Sequence, residues 1–252
     1  ADTFNTWFEP ENITSAVDLL EAAGYEVIVA ARPGDERPLC CGRTFLSAGL
    51  VDEARAEAQR LLDALYPYVQ AGLPIIGLEP SCLFTLKDEF LSMLPGPEAD
   101  ALAGQTMMFE EFVARESAAG RFDITFGPAP ARKLLLHGHC HQKAFAAVSP
   151  VQAVLQLIPD AEVELVQSSC CGMAGAFGYE AEHYEASMQM AELSLLPRVR
   201  EADDDTIVVA DGTSCRHQIA DGASREAVHV VRVLAAALSQ APISRSATNA
   251  MK

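Results

Sequence analysis

The sequence predicts an α/β fold in two related halves, and three observations predict it. Short Val- and Ile-rich runs alternate with longer amphipathic stretches, the signature of strands joined by helices and hence of parallel sheets. The order of these runs in one half recurs in the other. All seven cysteines fall on that recurrence. Cys40-Cys41-Gly42 is followed about forty residues later by Pro80-Ser81-Cys82, and Cys170-Cys171-Gly172 by Thr213-Ser214-Cys215, with Cys140 ahead of the second pair. Together these predict two pseudo-twofold-related, Rossmann-like repeats. Their parallel sheets are flanked by helices, and the cysteines sit at the carboxyl ends of strands, where such sheets gather their sites.

Taken in order, Ala16-Val17-Asp18-Leu19-Leu20 reads as a short amphipathic helix and Tyr25-Glu26-Val27-Ile28-Val29 as the strand after it. Beyond the first Cys-Cys-Gly, residues 46–69 read as a helix and Ile75-Ile76-Gly77-Leu78 as the strand that delivers Cys82. Pro95-Gly96-Pro97 is a break, residues 101–119 read as one helix, and Gly127-Pro128-Ala129-Pro130 as a linker. In the second half Lys133-Leu134-Leu135-Leu136-His137 is the strand that delivers Cys140. Ala153-Val154-Leu155-Gln156-Leu157 and Glu162-Val163-Glu164-Leu165-Val166 repeat the helix and strand. Residues 180–199 then read as a helix whose Met188, Met190, Leu193, Leu195 and Leu196 form a core-facing stripe. Ile207-Val208-Val209-Ala210 leads to Cys215. The expected division is a first repeat over 1–95, a helical connection and linker over 96–131, a second repeat over 132–240 and a flexible tail over 241–252.

Aligning Ala153 on Ala16 places the counterpart of Cys140 at Thr3 and the counterpart of the strand at 133–137 ahead of residue 1. The first repeat is therefore expected to lack its opening strand, and the chain to be a fragment of a longer polypeptide. A rearranged first domain is the alternative.

With 35 acidic and 18 basic residues, the net charge is −17, which disfavours nucleic acid and anionic membranes as partners. No apolar run is long enough to be a transmembrane segment, and no signal peptide is visible after Ala1-Asp2-Thr3-Phe4. An odd number of clustered thiols argues against a full disulfide framework and suits a reducing compartment. A cytoplasmic location, or the inner face of a membrane, is expected.

Cys140, Cys170, Cys171 and Cys215 offer four thiolates from three loops, the number required by a [4Fe–4S] cluster or an all-cysteine zinc site. Adjacent cysteines diverge, which suits separate iron atoms better than one tetrahedral zinc. Gly172 and Gly175 let the backbone approach sulfur and present N–H groups to it. His137, His139 and His141 surround Cys140, and His217 follows Cys215; they are candidate ligands, outer hydrogen-bond partners or proton carriers. Lys143 could add positive charge. Thiol catalysis by one of the cysteines stays open. The first set has Cys40, Cys41 and Cys82, with Thr3 or Asp2 in the fourth place and Glu79 as a further candidate. It could hold a second cluster, a zinc ion or nothing.

Cys40-Cys41-Gly42, Glu79-Pro80-Ser81-Cys82, His139-Cys140-His141-Gln142, Ser169-Cys170-Cys171-Gly172 and Thr213-Ser214-Cys215 resemble the cysteine-rich CCG domain family, over nearly the whole chain. That family includes the CCG-bearing subunit of heterodisulfide reductase and the iron–sulfur parts of hydroxyacid and glycerol-3-phosphate oxidation systems. Asp2-Thr3-Phe4, His137-Gly138-His139-Cys140-His141-Gln142-Lys143 and the stretch from Gly172-Met173 to Tyr179-Glu180 look most like the C-terminal region of FAD-linked D-2-hydroxyacid dehydrogenases of the D-lactate/glycolate type.

The resemblance implies an iron–sulfur electron-transfer module that is not catalytically complete alone. It implies a [4Fe–4S] cluster on Cys140, Cys170, Cys171 and Cys215, and FAD on another domain or subunit. It also implies a ferredoxin-like iron–sulfur domain and a quinone or other acceptor as partners. One departure stands out. Cys215-Arg216-His217-Gln218 has glutamine where two-cluster members close a Cys-x-x-Cys, which weakens a thiol–disulfide reductase reading like that of heterodisulfide reductase. The other alternative is a zinc-binding or metal-free structural or docking domain.

Overall fold

Residues 1–30, 37–168 and 170–238 are described by a computed structural model. The Asp2 carboxylate accepts from the Phe4 and Asn5 N–H groups and so caps α1 (Thr3–Trp7). Pro10 opens α2 (Pro10–Ala22) in the first turn, where its missing N–H costs nothing. After the first Cys-Cys-Gly come α3 (Arg43–Ser47) and α4 (Val51–Gln70). The helix expected over 46–69 starts late because Gly49 turns through a φ of +77°.

β1 (Ile75–Gly77) leads to α5 (Pro80–Lys87), which carries Cys82, and to α6 (Glu89–Met93). The Pro95-Gly96-Pro97 break holds, since α7 (Pro97–Gln105) begins on Pro97. The single helix expected over 101–119 is corrected. It is interrupted by β2 (Thr106–Met108), which pairs in parallel with β1 before α8 (Phe109–Ala118) begins. Three residues carry too little pattern to announce a strand, and it is pairing with β1 that makes one.

In the second half β3 (Lys133–His137) runs into α9 (Cys140–Ala144), followed by α10 (Val148–Leu155) and β4 (Glu162–Leu165). The helix expected over 180–199 is also corrected. It is a 3₁₀ turn at Phe177–Tyr179 and two helices, α11 (Tyr184–Glu192) and α12 (Leu195–Glu201). Leu195 and Leu196 are fully buried, whereas Leu193 at the break is 77% exposed, so the apolar stripe is only partly core. Then come β5 (Ile207–Ala210), α13 (Thr213–Ala223) with Cys215, β6 (Ala227–Val228) and α14 (Val230–Ala236).

These strands form a parallel sheet of order β4-β3-β5-β6, while β1 and β2 form a two-stranded one. The fold is thus mixed α/β with parallel sheets and more helix than strand. The halves differ in sheet size, so whole-domain repetition is not evident in the sheets. The strand expected over Tyr25-Glu26-Val27-Ile28-Val29 has no ladder partner among the described residues. Ser169 and the expected tail at 241–252 lie outside the described residues.

One core joins the halves. Leu19, Leu78, Phe109 and Phe112 pack in the same cluster as Leu134, Val151, Val209 and Val230. No helix among the described residues is long and apolar enough to cross a membrane.

Candidate metal centre

Both Cys-Cys-Gly turns are shaped by the same local geometry. Gly172 has φ +91° and Gly42 φ +79°, the left-handed region that only glycine enters cheaply. This bend folds the Gly172 N–H back to 3.3 Å from Cys170 Sγ and the Gly42 N–H to 3.5 Å from Cys40 Sγ. It also presses each turn onto a helix. A methyl group on Gly172 would lie 2.1 Å from the Ser187 carbonyl oxygen on α11, and one on Gly42 would lie 2.6 Å from that of Ala54 on α4.

The other cysteines enter on helix N-termini, where unpaired N–H groups favour a thiolate. Cys82 and Cys215 are each the third residue of their helix, α5 and α13. Cys140 is the first residue of α9, and Thr3 is the first of α1. The caps match as well. His139 Nδ1 accepts from the His141 N–H at 3.1 Å, as Asp2 accepts from Phe4 at 3.0 Å. The register read from the sequence therefore places Thr3 and Cys140 alike, and the Thr3 hydroxyl hydrogen-bonds Cys40.

In the second set the four thiols form an unbroken line of contacts. Cys140 is hydrogen-bonded to Cys170, Cys170 to Cys171, and Cys171 to Cys215. All seven cysteines are free thiols. Contacts with Cys140 and Cys171 pull the Cys170 thiol far below its ordinary range, helped by the Gly172 and Ala174 N–H groups. Contact with Cys171 does the same for Cys215 against its burial. The same contacts push the Cys140 and Cys171 thiols up.

Cys171 and Cys215 lie with His137 in one buried group whose ligand atoms are all within 4.8 Å, and Cys140 lies in another with His139 and His141. His137 Nδ1 meets Ser168 Oγ at 2.9 Å, and the buried imidazole also hydrogen-bonds Cys215. His139 is buried against Gly212, where an added methyl group would sit 2.3 Å from the imidazole ring. Burial pushes the His141 imidazole down to about 4, and its Nε2 lies 3.2 Å from an Arg43 guanidinium nitrogen. Lys143 Nζ donates to Ser168, and its ammonium interacts with all four thiols of the set.

Two residues singled out in the sequence stand elsewhere. His217 is exposed and pairs with the Tyr179 hydroxyl at 2.6 Å, outside the line of thiol contacts. Gln218, at the closing position of the departed Cys-x-x-Cys, is buried and donates to Ser187 Oγ at 2.9 Å beneath the Gly172 turn.

In the first set Cys40 contacts Cys41, and Cys41 contacts Cys82, with all three thiols pushed up. Glu79 is not turned to them as a ligand. One of its oxygens accepts from Ser81 at the head of α5, and the other from the Thr213 N–H at 2.9 Å at the head of α13. It caps a helix of each set.

Sequence reasoning missed a third group. Glu110, Asp211 and His229 are buried with ligand atoms within 4.8 Å of one another. Asp211 accepts from Val230 N and Gln142 Nε2, and His229 Nε2 meets the Leu78 carbonyl oxygen at 3.0 Å. Both Glu110 oxygens lack a partner. No local motif signals this group, because its members come from three separate elements.

The segment that carries all four cysteines of the second set, residues 134–220, matches the family CCG, described as a cysteine-rich domain. The chain carries a CCG domain. Beyond it, the chain is 28% identical over 201 residues to a subunit of the anaerobic glycerol-3-phosphate dehydrogenase of Escherichia coli, covering 79% of this chain and 50% of that protein. It is 28% identical over 237 residues to a D-2-hydroxyglutarate dehydrogenase of Pseudomonas putida, covering 92% of this chain and 21% of that one. A lactate utilization protein of Bacillus mycoides is 26% identical over 194 residues, with 73% of each covered. The CCG-bearing chain thus spans about half of the first relative and about a fifth of the second.

The donor set of the CCG domain fits a thiolate-ligated metal group. It offers four contacting thiols, backbone N–H groups aimed at Cys140, Cys170 and Cys171, and a buried imidazole on Cys215.

Proposed function

We propose that this chain is the iron–sulfur electron-transfer module of a flavin-dependent D-2-hydroxyacid dehydrogenase, of the D-lactate/glycolate type. Cys140, Cys170, Cys171 and Cys215 would hold a [4Fe–4S] cluster. The observation that carries the reading is the extended line of thiol contacts. A zinc ion with Zn–S near 2.3 Å needs four sulfurs about 3.8 Å apart around one point. Here the adjacent Cys170 and Cys171 reach toward different partners, Cys140 on one side and Cys215 on the other. That arrangement suits several iron atoms with one thiolate each.

A bound cluster would supply one-electron transfer. The chain's own residues set its surroundings. N–H groups of Gly172, Met173 and Ala174 face the sulfurs of the Cys-Cys pair, and hydrogen bonds of this kind tune potential. The Lys143 ammonium offsets thiolate charge. His137, His139 and Gly212 close the buried side against water.

The FAD and substrate sites, a ferredoxin-like iron–sulfur domain and the quinone or other acceptor belong, on this reading, to partner domains. On the same reading the second repeat at 132–240 is the principal electron carrier, while the first repeat at 1–95, with three thiols, would hold a second cluster, a zinc ion or nothing. A reducing compartment, the cytoplasm or the inner membrane face, suits seven free thiols.

Anaerobic purification with iron, sulfide and zinc analysis and electron paramagnetic resonance tests the proposal. About four irons and four sulfides per filled site are expected. Cys171→Ser should abolish the visible absorbance and the resonance signal while leaving far-ultraviolet circular dichroism unchanged. A colourless protein holding zinc without iron would sink the reading.

A further inference from the structure

In the second half, β3 is the central strand. It pairs with β4 on one side, Leu134 opposite Val163, and with β5 on the other, Leu134 opposite Ile207. Its last residue leads through Gly138 and the His139 cap into α9. The first half has the outer parts of the same arrangement without the centre. β1 and β2 stand where β5 and β6 stand, since each pair leads to a cysteine-bearing helix and a further capped helix. Tyr25-Glu26-Val27-Ile28-Val29 follows α2 as β4 follows α10.

Between these two flanks lies a cavity of about 570 Å³. Tyr25, Val27 and Val29 line one wall, Ile75 and Gly77 the other, and Thr3 one end. The flanks show the loss. Val208, Val209 and Ala210 on β5 are no more than 1% exposed, whereas every residue of β1 is only half-buried. Ile28 and Val29 are 51% and 56% exposed. The β1 edge facing the cavity forms no ladder among the described residues, and an open apolar edge of this kind is a template for one more strand.

We propose that this groove is the binding site of one extended, apolar β-strand, which inserts in parallel between Tyr25-Glu26-Val27-Ile28-Val29 and β1 and enters α1 at Asp2. The occupant is polypeptide joined to the N-terminal side of Ala1. The polarity follows from β3, which is parallel to both neighbours. The connection follows from the matched caps of α1 and α9, because a strand ending two residues before Asp2 would reach that cap as β3, ending at His137, reaches His139. The inserted strand gives the first half a four-stranded order matching β4-β3-β5-β6. It also roofs the first cysteine set, since Cys40, Cys41 and Cys82 line the same cavity. This inference does not depend on which metal either set holds.

The chain's own central strand supplies the probe. A copy of residues 131–137 is placed directly ahead of Ala1, and a second version carries proline for the middle of the three leucines. Proline cannot occupy a central strand because it lacks the N–H that the ladder needs. Hydrogen exchange of the amides at 26–29 and 75–77 is followed by mass spectrometry. The leucine version should slow their exchange roughly tenfold or more relative to the unextended chain, and the proline version should not. The same seven-residue segment, added as a free peptide to the unextended chain, should bring about the same protection in a saturable way. Equal protection by both extensions, or none by either extension or the peptide, overturns the proposal. Protection that rises with concentration in the unextended chain assigns the groove to a second copy and overturns it too.

Discussion

At the residue scale, glycine and glutamate positions separate what the fold tolerates from what it needs. Gly172 and Gly175 flank the same thiol turn, with φ of +91° and +72°, yet they are not equivalent. An added methyl group at Gly172 meets the Ser187 carbonyl at 2.1 Å, and at Gly175 it meets nothing within 4 Å. Gly175→Ala should therefore cost only the left-handed backbone penalty, about 1–2 kcal/mol. Gly172→Ala adds an overpacking penalty and should cost about 3 kcal/mol or more. Urea titration of the two variants checks the ordering, and equal costs would refute it.

Glu110 gives a second residue-scale prediction. Burial without a hydrogen-bond partner, reinforced by the Asp211 carboxylate, raises its carboxyl pKa well above the ordinary range. The folded chain then holds this proton more tightly than the unfolded one. The associated stability is complete below the unfolded value of about 4.3 and is lost as pH rises toward the folded value. Glu110→Met should raise stability at pH 7 by about 1–3 kcal/mol and flatten its decline from mildly acidic to neutral pH. An unchanged pH profile of the melting temperature would count against it.

At the element scale, Glu79 joins the two cysteine sets by capping α5 and α13 together. Each lost N-cap costs about 1 kcal/mol, so Glu79→Ala should cost about 2–3 kcal/mol and leave a buried Thr213 N–H unsatisfied. A double-mutant cycle with Thr213→Val should show non-additivity, because the Thr213 hydroxyl also bonds Glu79. Strict additivity would remove the cross-set role.

That role also shows where sequence reading stops. Cys-Cys-Gly turns, strand ends and helix caps are local patterns, so the four thiols of the second set and the place of Thr3 are legible in the sequence alone. The Glu79–Thr213 bond spans 134 positions, and nothing near Glu79 distinguishes a cap from a ligand. β2 is illegible for a related reason, since its three residues sit in helix-forming sequence and become a strand only by pairing with β1. Reading residues 180–199 as one helix follows the apolar stripe past a break at which Leu193 turns to solvent.

At the scale of the whole molecule, the two cysteine sets look like separate domains in sequence but share one interior. The largest core cluster takes Leu19, Leu20, Leu78, Phe109 and Phe112 from one half and Leu134, Val151, Val154, Val209 and Val230 from the other. Polar links cross the same interface. Arg216, 3% exposed, donates to the Glu9 carboxylate over a separation of 207 positions, and His229 meets the Leu78 carbonyl. Burial opposes the Glu9 charge, but Arg216 holds its pKa below the ordinary value. That contribution is present above the unfolded carboxylate pKa and is lost as pH falls through the folded one.

Neither half can unfold without exposing apolar surface of the other, which couples them thermodynamically. The metal-free chain should therefore unfold in urea at neutral pH as one cooperative transition, with far- and near-ultraviolet circular dichroism coincident. Glu9→Gln should lower the midpoint without splitting the transition, because the shared apolar cluster outlasts the loss of one ion pair. Two resolved transitions in the unmodified chain would mean that the halves are thermodynamically separate, and the common core would then contribute less than its burial indicates.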